Sequence, residues 1–97
     1  MSEMVTAAVA ALQEKLGDGF DGTAKFDIEG EGAIVIDGSG VRAADAGEET
    51  DVTLTADADT FQEILSGALN PTSAFMGGRL KLDGDMGTAM RLGGLLG

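Results

Sequence analysis

Apolar residues recur along this chain first with a helical period and then with a period of two. Between residues 4 and 16 they lie three and four positions apart, which predicts one amphipathic helix that ends at Gly17. Between residues 20 and 57 apolar and polar residues alternate, as in strands that have one buried face and one solvated face. We expect four strands in this part of the chain, at residues 24–29, 33–36, 41–44 and 52–57.

The alternation also predicts which side chains lie beneath the helices of the fold. Residues 33–36 are apolar throughout, which is typical of a strand at the centre of a sheet. Residues 45–51 contain several acidic side chains and predict a solvated loop. The side chains expected on the buried face are Phe26, Ile28, Ile34, Ile36, Leu54 and Leu82.

Two further helices are expected after the fourth strand. The first runs from Asp57 or Asp59 to Ser66, and Asp59 with Gln62 resembles a capping box at its start. The second is short. Asn70 is its expected N-cap and Pro71 its first helical residue, because a proline there loses no helical hydrogen bond.

One strand and one helix complete the chain. Residues 79–83 alternate between polar and apolar, and Asp85 can cap the last helix through the free N–H groups of its first turn. The order is therefore α-β-β-β-β-α-α-β-α. Strands that come in a run, with helices clustered later, favour an α+β fold whose helices cover one face of a five-stranded, mostly antiparallel sheet. The last strand needs a crossover connection, which predicts one parallel pair.

The composition argues against several classes of function. The chain has 97 residues, a net charge of −11, six scattered basic residues and neither cysteine nor histidine. Nucleic acid binding needs clustered cations and aromatic stacking, and an anionic membrane would repel this chain. Histidine and cysteine supply the common general bases, nucleophiles and metal ligands, so we expect no enzyme, no metal and no cofactor.

A chain of this length predicts a single domain over residues 1–97. It has no basic leader followed by an apolar run, and no segment approaches the roughly 20 apolar residues of a membrane span. The expected location is therefore the cytoplasm.

Flexible apolar side chains are concentrated in the last third of the chain. Phe75 and Met76 lie on the short helix, and Met86 and Met90 lie on the last one. Methionine adapts to irregular apolar shapes, so this cluster is either a part of the core or the lining of an apolar ligand site. Spacing alone leaves both interpretations open.

The same part of the chain carries an extended motif. Its residues are Pro71, Ala74-Phe75-Met76-x-Gly78, Leu80-Lys81-Leu82, Gly84-Asp85-Met86 and Met90-x-Leu92. This motif closely resembles the signature of the sterol carrier protein family, the type-2 sterol-binding domain. With the strand and helix that precede it, the resemblance covers residues 40–92.

The resemblance implies a lipid-binding domain that has no catalytic residues. Sterols, fatty acids or acyl-CoA would lie in an apolar tunnel between the sheet and the C-terminal helices, and one acyl chain needs a pocket of roughly 300 Å³. We expect a monomer or weak dimer that makes transient contact with membranes. The residues that the resemblance and the apolar pattern assign to the ligand are Phe61, Ile64, Leu65, Phe75, Met76, Leu82, Met86, Met90, Leu92 and Leu95.

Two features differ from eukaryotic members of the family. The tail Gly93-Gly94-Leu95-Leu96-Gly97 is poorer in helix formers than an amphipathic lid, and it is not a peroxisomal signal. We therefore expect a bacterial single-domain member that binds straight acyl chains or other lipids. The alternative is an acidic protein-interaction or dimerisation module without a lipid, whose apolar tail is covered by a partner.

Overall fold

The computed structural model describes residues 3–16, 20–45 and 47–96. Gly17, where the first helix is predicted to end, lies outside the described residues. The predicted order of elements is confirmed. The elements are α1 (Glu3–Lys15), β1 (Ala24–Ile28), β2 (Gly32–Asp37), β3 (Gly40–Ala44), β4 (Val52–Ala56), α2 (Ala58–Ser66), α3 (Pro71–Met76), β5 (Lys81–Gly84) and α4 (Met86–Leu96).

The five strands form one sheet in the order β3-β2-β1-β4-β5. Three of the four strand pairs are antiparallel, so the predicted mostly antiparallel α+β fold is confirmed. The parallel pair is β1 with β4, whereas the sequence suggested that the parallel pair would involve the last strand. The reason is the position of β3 at the far edge: the chain must cross β2 and β1 before β4 begins, and α2 and α3 then return it antiparallel to β4.

The helices pack on one face of this sheet. Helix α1 lies against β2, β3 and α2, and α4 lies against β1, β4, β5 and α3. The predicted strand phasing is confirmed: five of the six side chains expected beneath the helices are buried and Leu82 is half-buried. The aromatic rings of Phe26 on β1 and Phe61 on α2 are in contact in this core. Their centroids are 5.0 Å apart and their planes are tilted by 56°.

The opposite face of the sheet is also partly covered. Lys25 is 7% exposed and its neighbour across the strands, Val35, is 1% exposed. The Lys25 ammonium group donates a hydrogen bond to the backbone oxygen of Glu48 at 2.9 Å. The segment between β3 and β4 therefore lies over Lys25 on the outer face through Glu48. Its described residues are nevertheless exposed or half-buried, which agrees with the solvated acidic loop predicted there.

The helix caps differ from the prediction at one position. The carboxylate of Asp57 accepts a hydrogen bond from the N–H of Thr60 at 2.7 Å, so Asp57, one of the two predicted starts, is the N-cap of α2. The capping box predicted at Asp59 is wrong. Asn70 caps α3 as predicted, and its side-chain oxygen accepts from the N–H of Thr72 at 2.8 Å. This cap fixes the direction of α3, which forms one wall of the cavity described next.

Candidate functional site

An apolar cavity of about 280 Å³ lies between α3, α4 and the edge of the sheet formed by β4 and β5. Its floor is the sheet, where Leu54 and Leu82 lie directly opposite each other on β4 and β5. The residues that line it are Leu54, Pro71, Thr72, Phe75, Met76, Leu80, Leu82, Met86, Ala89, Met90 and Gly93.

One face of α4 forms a wall of the cavity. Met86, Ala89, Met90 and Gly93 are spaced at i, i+3, i+4 and i+7, which places them on the same side of a helix. Gly93 faces α3: a Cβ atom there would lie 3.9 Å from the side chain of Pro71, which is an ordinary van der Waals contact. The helix continues through Gly93 and Gly94 to Leu96 although glycine is a poor helix former.

The mouth of the cavity is surrounded by exposed apolar side chains. Met76 is 80% exposed and Met90 is 75% exposed, while Phe75 and Met86 are each a little under half exposed. A monomeric protein seldom leaves several large apolar side chains together in water, and such clusters mark binding sites. The mouth therefore gives an apolar molecule a path between solvent and cavity.

The lining has little capacity for chemistry. The polar side chain in the lining is that of Thr72, and the other lining residues present apolar groups or glycine backbone. Within residues 3–16, 20–45 and 47–96 there is no group of three or more acidic, histidine or cysteine side chains that could hold a metal ion. Such a site binds by burying apolar surface, at about 25 cal/mol per Å² removed from water.

The structure brings half of the predicted ligand residues to this cavity. Those that line it are Phe75, Met76, Leu82, Met86 and Met90. Phe61, Ile64 and Leu92 are instead buried in the core between helices and sheet, and Leu65 packs against that core. Leu95 is exposed on α4 and does not line the cavity. Contact of these last five with a ligand stays a prediction.

Several lining residues were not predicted. Ala89 and Gly93 extend the helical spacing that already relates Met86 to Met90, so the period of α4 was a signal for both. Thr72 and Leu54 gave no local signal. Both line the cavity because the fold places α3 and β4 on different sides of it, which no spacing within either element reveals.

A network of polar side chains fixes α4 on the side away from the cavity. Asp85 accepts hydrogen bonds from the hydroxyl group of Thr88 at 2.6 Å and from the N–H of Gly87 at 3.1 Å, so its predicted role as a cap is confirmed. These hydrogen bonds, the Thr88 hydroxyl first, lower the pKa of Asp85 below its ordinary value. Arg91 completes the network with a hydrogen bond to Thr88 at 3.3 Å and an ion pair with Asp21 at 3.4 Å.

The lowered pKa of Asp85 predicts a loss of stability in acid. A carboxyl group whose folded pKa lies below its unfolded value of about 3.9 stabilises the fold above the unfolded pKa, and this contribution is lost as the pH falls through the folded pKa. Asp85→Asn keeps an acceptor but removes the charge. We expect the variant to be less stable than the wild type at neutral pH and to lose less stability on acidification.

Urea denaturation at neutral pH and at about pH 3 measures both effects. Asp59→Asn is the matched control, because Asp59 is an exposed residue in the first turn of α2 and its replacement changes the net charge equally. If Asp85→Asn and the wild type lose the same free energy of unfolding on acidification, the charge of Asp85 does not stabilise α4.

Comparison with known proteins identifies the family to which this domain belongs. Residues 6–97 match the sequence profile of the SCP-2 sterol transfer family, which is nearly the whole chain. The chain belongs to the SCP-2 sterol transfer family. Lipid binding and transfer is accordingly the function of this domain, and the cavity is where its apolar surface opens to solvent.

Relatives of known sequence and structure agree with this assignment. The hydroxysteroid dehydrogenase-like protein 2 of Xenopus laevis is 30% identical over 103 residues, which cover 100% of this chain and 25% of that protein. The chain spans a quarter or less of the length of the curated relatives it matches.

Solved SCP-2 structures have the same fold. The sterol carrier protein domain 2 of Helicoverpa armigera is 30% identical, covers 95% of this chain and 81% of its own, and has a TM-score of 0.69. The sterol carrier protein-2 of Aedes aegypti, solved in complex with palmitate, is 21% identical, with coverages of 99% and 96% and a TM-score of 0.77. Among the described residues of the SCP-2 domain, no helix is long and apolar enough to cross a membrane.

Proposed function

We propose that the lipid bound by this domain has a single acyl chain, which lies in the cavity between α3, α4 and the β4–β5 edge. The domain carries this lipid and catalyses no reaction on it. The observation that supports the proposal best is the lining: Thr72 is its polar side chain, and a flexible chain of methylene groups matches the remaining apolar surface.

The size of the cavity favours one acyl chain over a rigid sterol. About 280 Å³ is at the lower end of the volumes of ligand sites, which are roughly 300 to 1,000 Å³. The unbranched side chains of Met86 and Met90 can adjust to a chain that bends. The palmitate complex of the Aedes aegypti protein supports a single acyl chain as the part of the lipid that the cavity holds.

Carriage requires that the lipid can enter and leave. Phe75, Met76 and Met90 surround the mouth and are exposed, so a chain can pass from a donor surface into the cavity without crossing the core. We propose that this contact with membranes is transient, that the domain acts as a monomer or weak dimer, and that it works in the cytoplasm of a bacterium. A net charge of −11 favours a bilayer of neutral lipids over an anionic one.

Added acyl lipid is expected to raise the melting temperature of the delipidated domain. A ligand that binds only the folded state at about 100 times its Kd stabilises it by roughly 2.7 kcal/mol. For a domain of this size that corresponds to a shift of roughly 10–20 °C. Thermal unfolding against a graded series of acyl lipids and sterols measures the shift, and acyl lipids should give larger shifts than sterols.

Two variants of α4 provide the controls. Met90→Gln places a polar group in the lining and should reduce the shift strongly. Leu95→Gln makes a similar change at an exposed position of the same helix that does not line the cavity, and it should keep the shift. A melting temperature that does not respond to any lipid, together with a stable dimer in solution, would support the interaction module instead.

A further inference from the structure

The positions of the basic residues indicate what kind of head group the lipid has. We infer that the ligand is a single-chain lipid with an uncharged head group, such as a fatty alcohol, a fatty aldehyde or a monoacylglycerol, and not a fatty acid anion or an acyl-CoA. This inference rests on the function proposed above. It follows from where each of the six basic side chains of the sequence lies, because the structure describes all six.

The three arginine side chains are already paired with carboxylates. Arg42 donates to Glu48 at 2.7 Å on the outer face of the sheet. Arg79 forms an ion pair with Glu63 on α2, and Arg91 pairs with Asp21 at 3.4 Å. None of the three lines the cavity. An anionic head group would have to compete with these carboxylates for the same donors.

The three lysine side chains lie elsewhere. Lys25 is held under the segment between β3 and β4 on the outer face of the sheet. Lys81 precedes Leu82 on β5, and neighbouring residues of a strand point to opposite faces, so the ammonium group is on the side away from the cavity. Lys15 is in the last turn of α1, which packs at the other edge of the sheet, against β2 and β3.

The two helix N-termini beside the cavity are occupied as well. Free N–H groups at the start of a helix commonly bind anions. At α3 the side-chain oxygen of Asn70 accepts from two of these groups, those of Thr72 and Ser73. At α4 the acceptor is the carboxylate of Asp85, which adds a negative charge of its own. At both starts a side-chain oxygen of the protein therefore already occupies the N–H donors that a carboxylate or a phosphate would need.

The electrostatic environment of the cavity also disfavours an ionised head group. Inside the cavity an ionised head group would lose its water without gaining a partner, which is strongly unfavourable. At the mouth it would remain hydrated but would lie in the field of a protein with a net charge of −11. An uncharged hydroxyl or carbonyl group avoids both costs, and the hydroxyl group of Thr72 is available to it at the lining.

The test compares lipids that share one chain and differ in the head group. We measure the Kd values of dodecanol, laurate and lauroyl-coenzyme A with the delipidated protein at low and at high ionic strength. Dodecanol is expected to bind on the order of tenfold more tightly than laurate at low ionic strength. Salt should narrow this ratio, because it screens the repulsion between the anion and the protein.

A charge placed at the mouth should change the preference. Met76 is an exposed lining residue in the last turn of α3, where a cation is compatible with the helix dipole. Met76→Lys is expected to shift the ratio of the laurate and dodecanol affinities by about fivefold in favour of laurate. Met76→Gln changes the same position without a charge, and Ser39→Lys adds the same charge at the exposed β2–β3 turn, on the opposite side of the sheet. Both controls should keep the wild-type ratio.

The outcomes separate this inference from the proposed function. If wild-type protein binds laurate as tightly as dodecanol at low ionic strength, or more tightly, the inference is overturned while single-chain lipid binding stands. If Ser39→Lys shifts the ratio as much as Met76→Lys does, net charge sets the preference rather than the composition of the mouth. If none of the three lipids binds, the proposed function and the inference both fail.

Discussion

Replacement of Gly84 by alanine is expected to destabilise the domain by about 4 kcal/mol, an unusually large effect for one methyl group. Gly84 has a φ of +115°, and a Cβ atom there would collide with the backbone oxygen of Asp51 and lie 3.0 Å from Cα of Val52. Both atoms belong to the backbone at the start of β4, which is paired with β5. They cannot move aside as a flexible side chain could.

A second glycine separates the two causes of this loss. Gly40 has a nearly equal φ of +122°, but no atom lies within 4 Å of the position of its Cβ. Gly40→Ala should therefore cost only the backbone strain, about 1–2 kcal/mol. Urea denaturation of the two variants measures the difference. If both variants lose the same free energy of unfolding, the close approach of β4 and β5 at Gly84 contributes nothing to the cost of the substitution.

Removal of the Phe61 ring is expected to cost about 3–5 kcal/mol and to leave the affinity for lipid almost unchanged. Phe61 is fully buried, and its ring meets that of Phe26 in the core. The matched variant is Phe75→Ala, since Phe75 lines the cavity and is 41% exposed. It should cost less stability and reduce the affinity for lipid.

Both variants and the milder Phe61→Leu are compared in two measurements. Denaturation curves give the free energy of unfolding, and lipid titrations give the affinity for lipid. The sequence assigned Phe61 and Phe75 alike to the ligand, and the structure assigns them to different environments. If Phe61→Leu loses as much affinity for lipid as Phe75→Ala, Phe61 contacts the ligand, as the sequence predicted.

The sequence predicted those parts of the fold that depend on local periodicity. The alternation along β1 and β2 placed Phe26 and Ile34 on the inner face, where both are buried. The continuous apolar run of residues 33–36 also agrees with the burial of Val35. Nothing in the pattern indicated that Lys25 would be buried, because Glu48, which binds its ammonium group, is distant in sequence. The parallel pairing of β1 and β4 escaped prediction for the same reason.

The ligand site was predicted where the helical spacing is distinctive. Met86 and Met90 are one turn apart on α4, and both line the cavity. For α2 the pattern showed an apolar face at Phe61 and Ile64, but an apolar face is equally suited to a core and to a cavity. Only the packing of the whole domain decides between them, and here it places α2 against the sheet.

The glycine content of α4 has a consequence for the rate at which lipid is exchanged. Glycine lowers helix propensity by about 1 kcal/mol relative to alanine, and α4 contains Gly87, Gly93 and Gly94. We therefore expect the end of this helix, where Gly93 faces Pro71, to unwind at a lower free energy than is needed to separate the strands of the sheet. A brief opening of this wall would widen the mouth of the cavity while the rest of the fold stays intact, so we expect the residence time of a lipid to follow the local stability of α4 and not the stability of the whole domain.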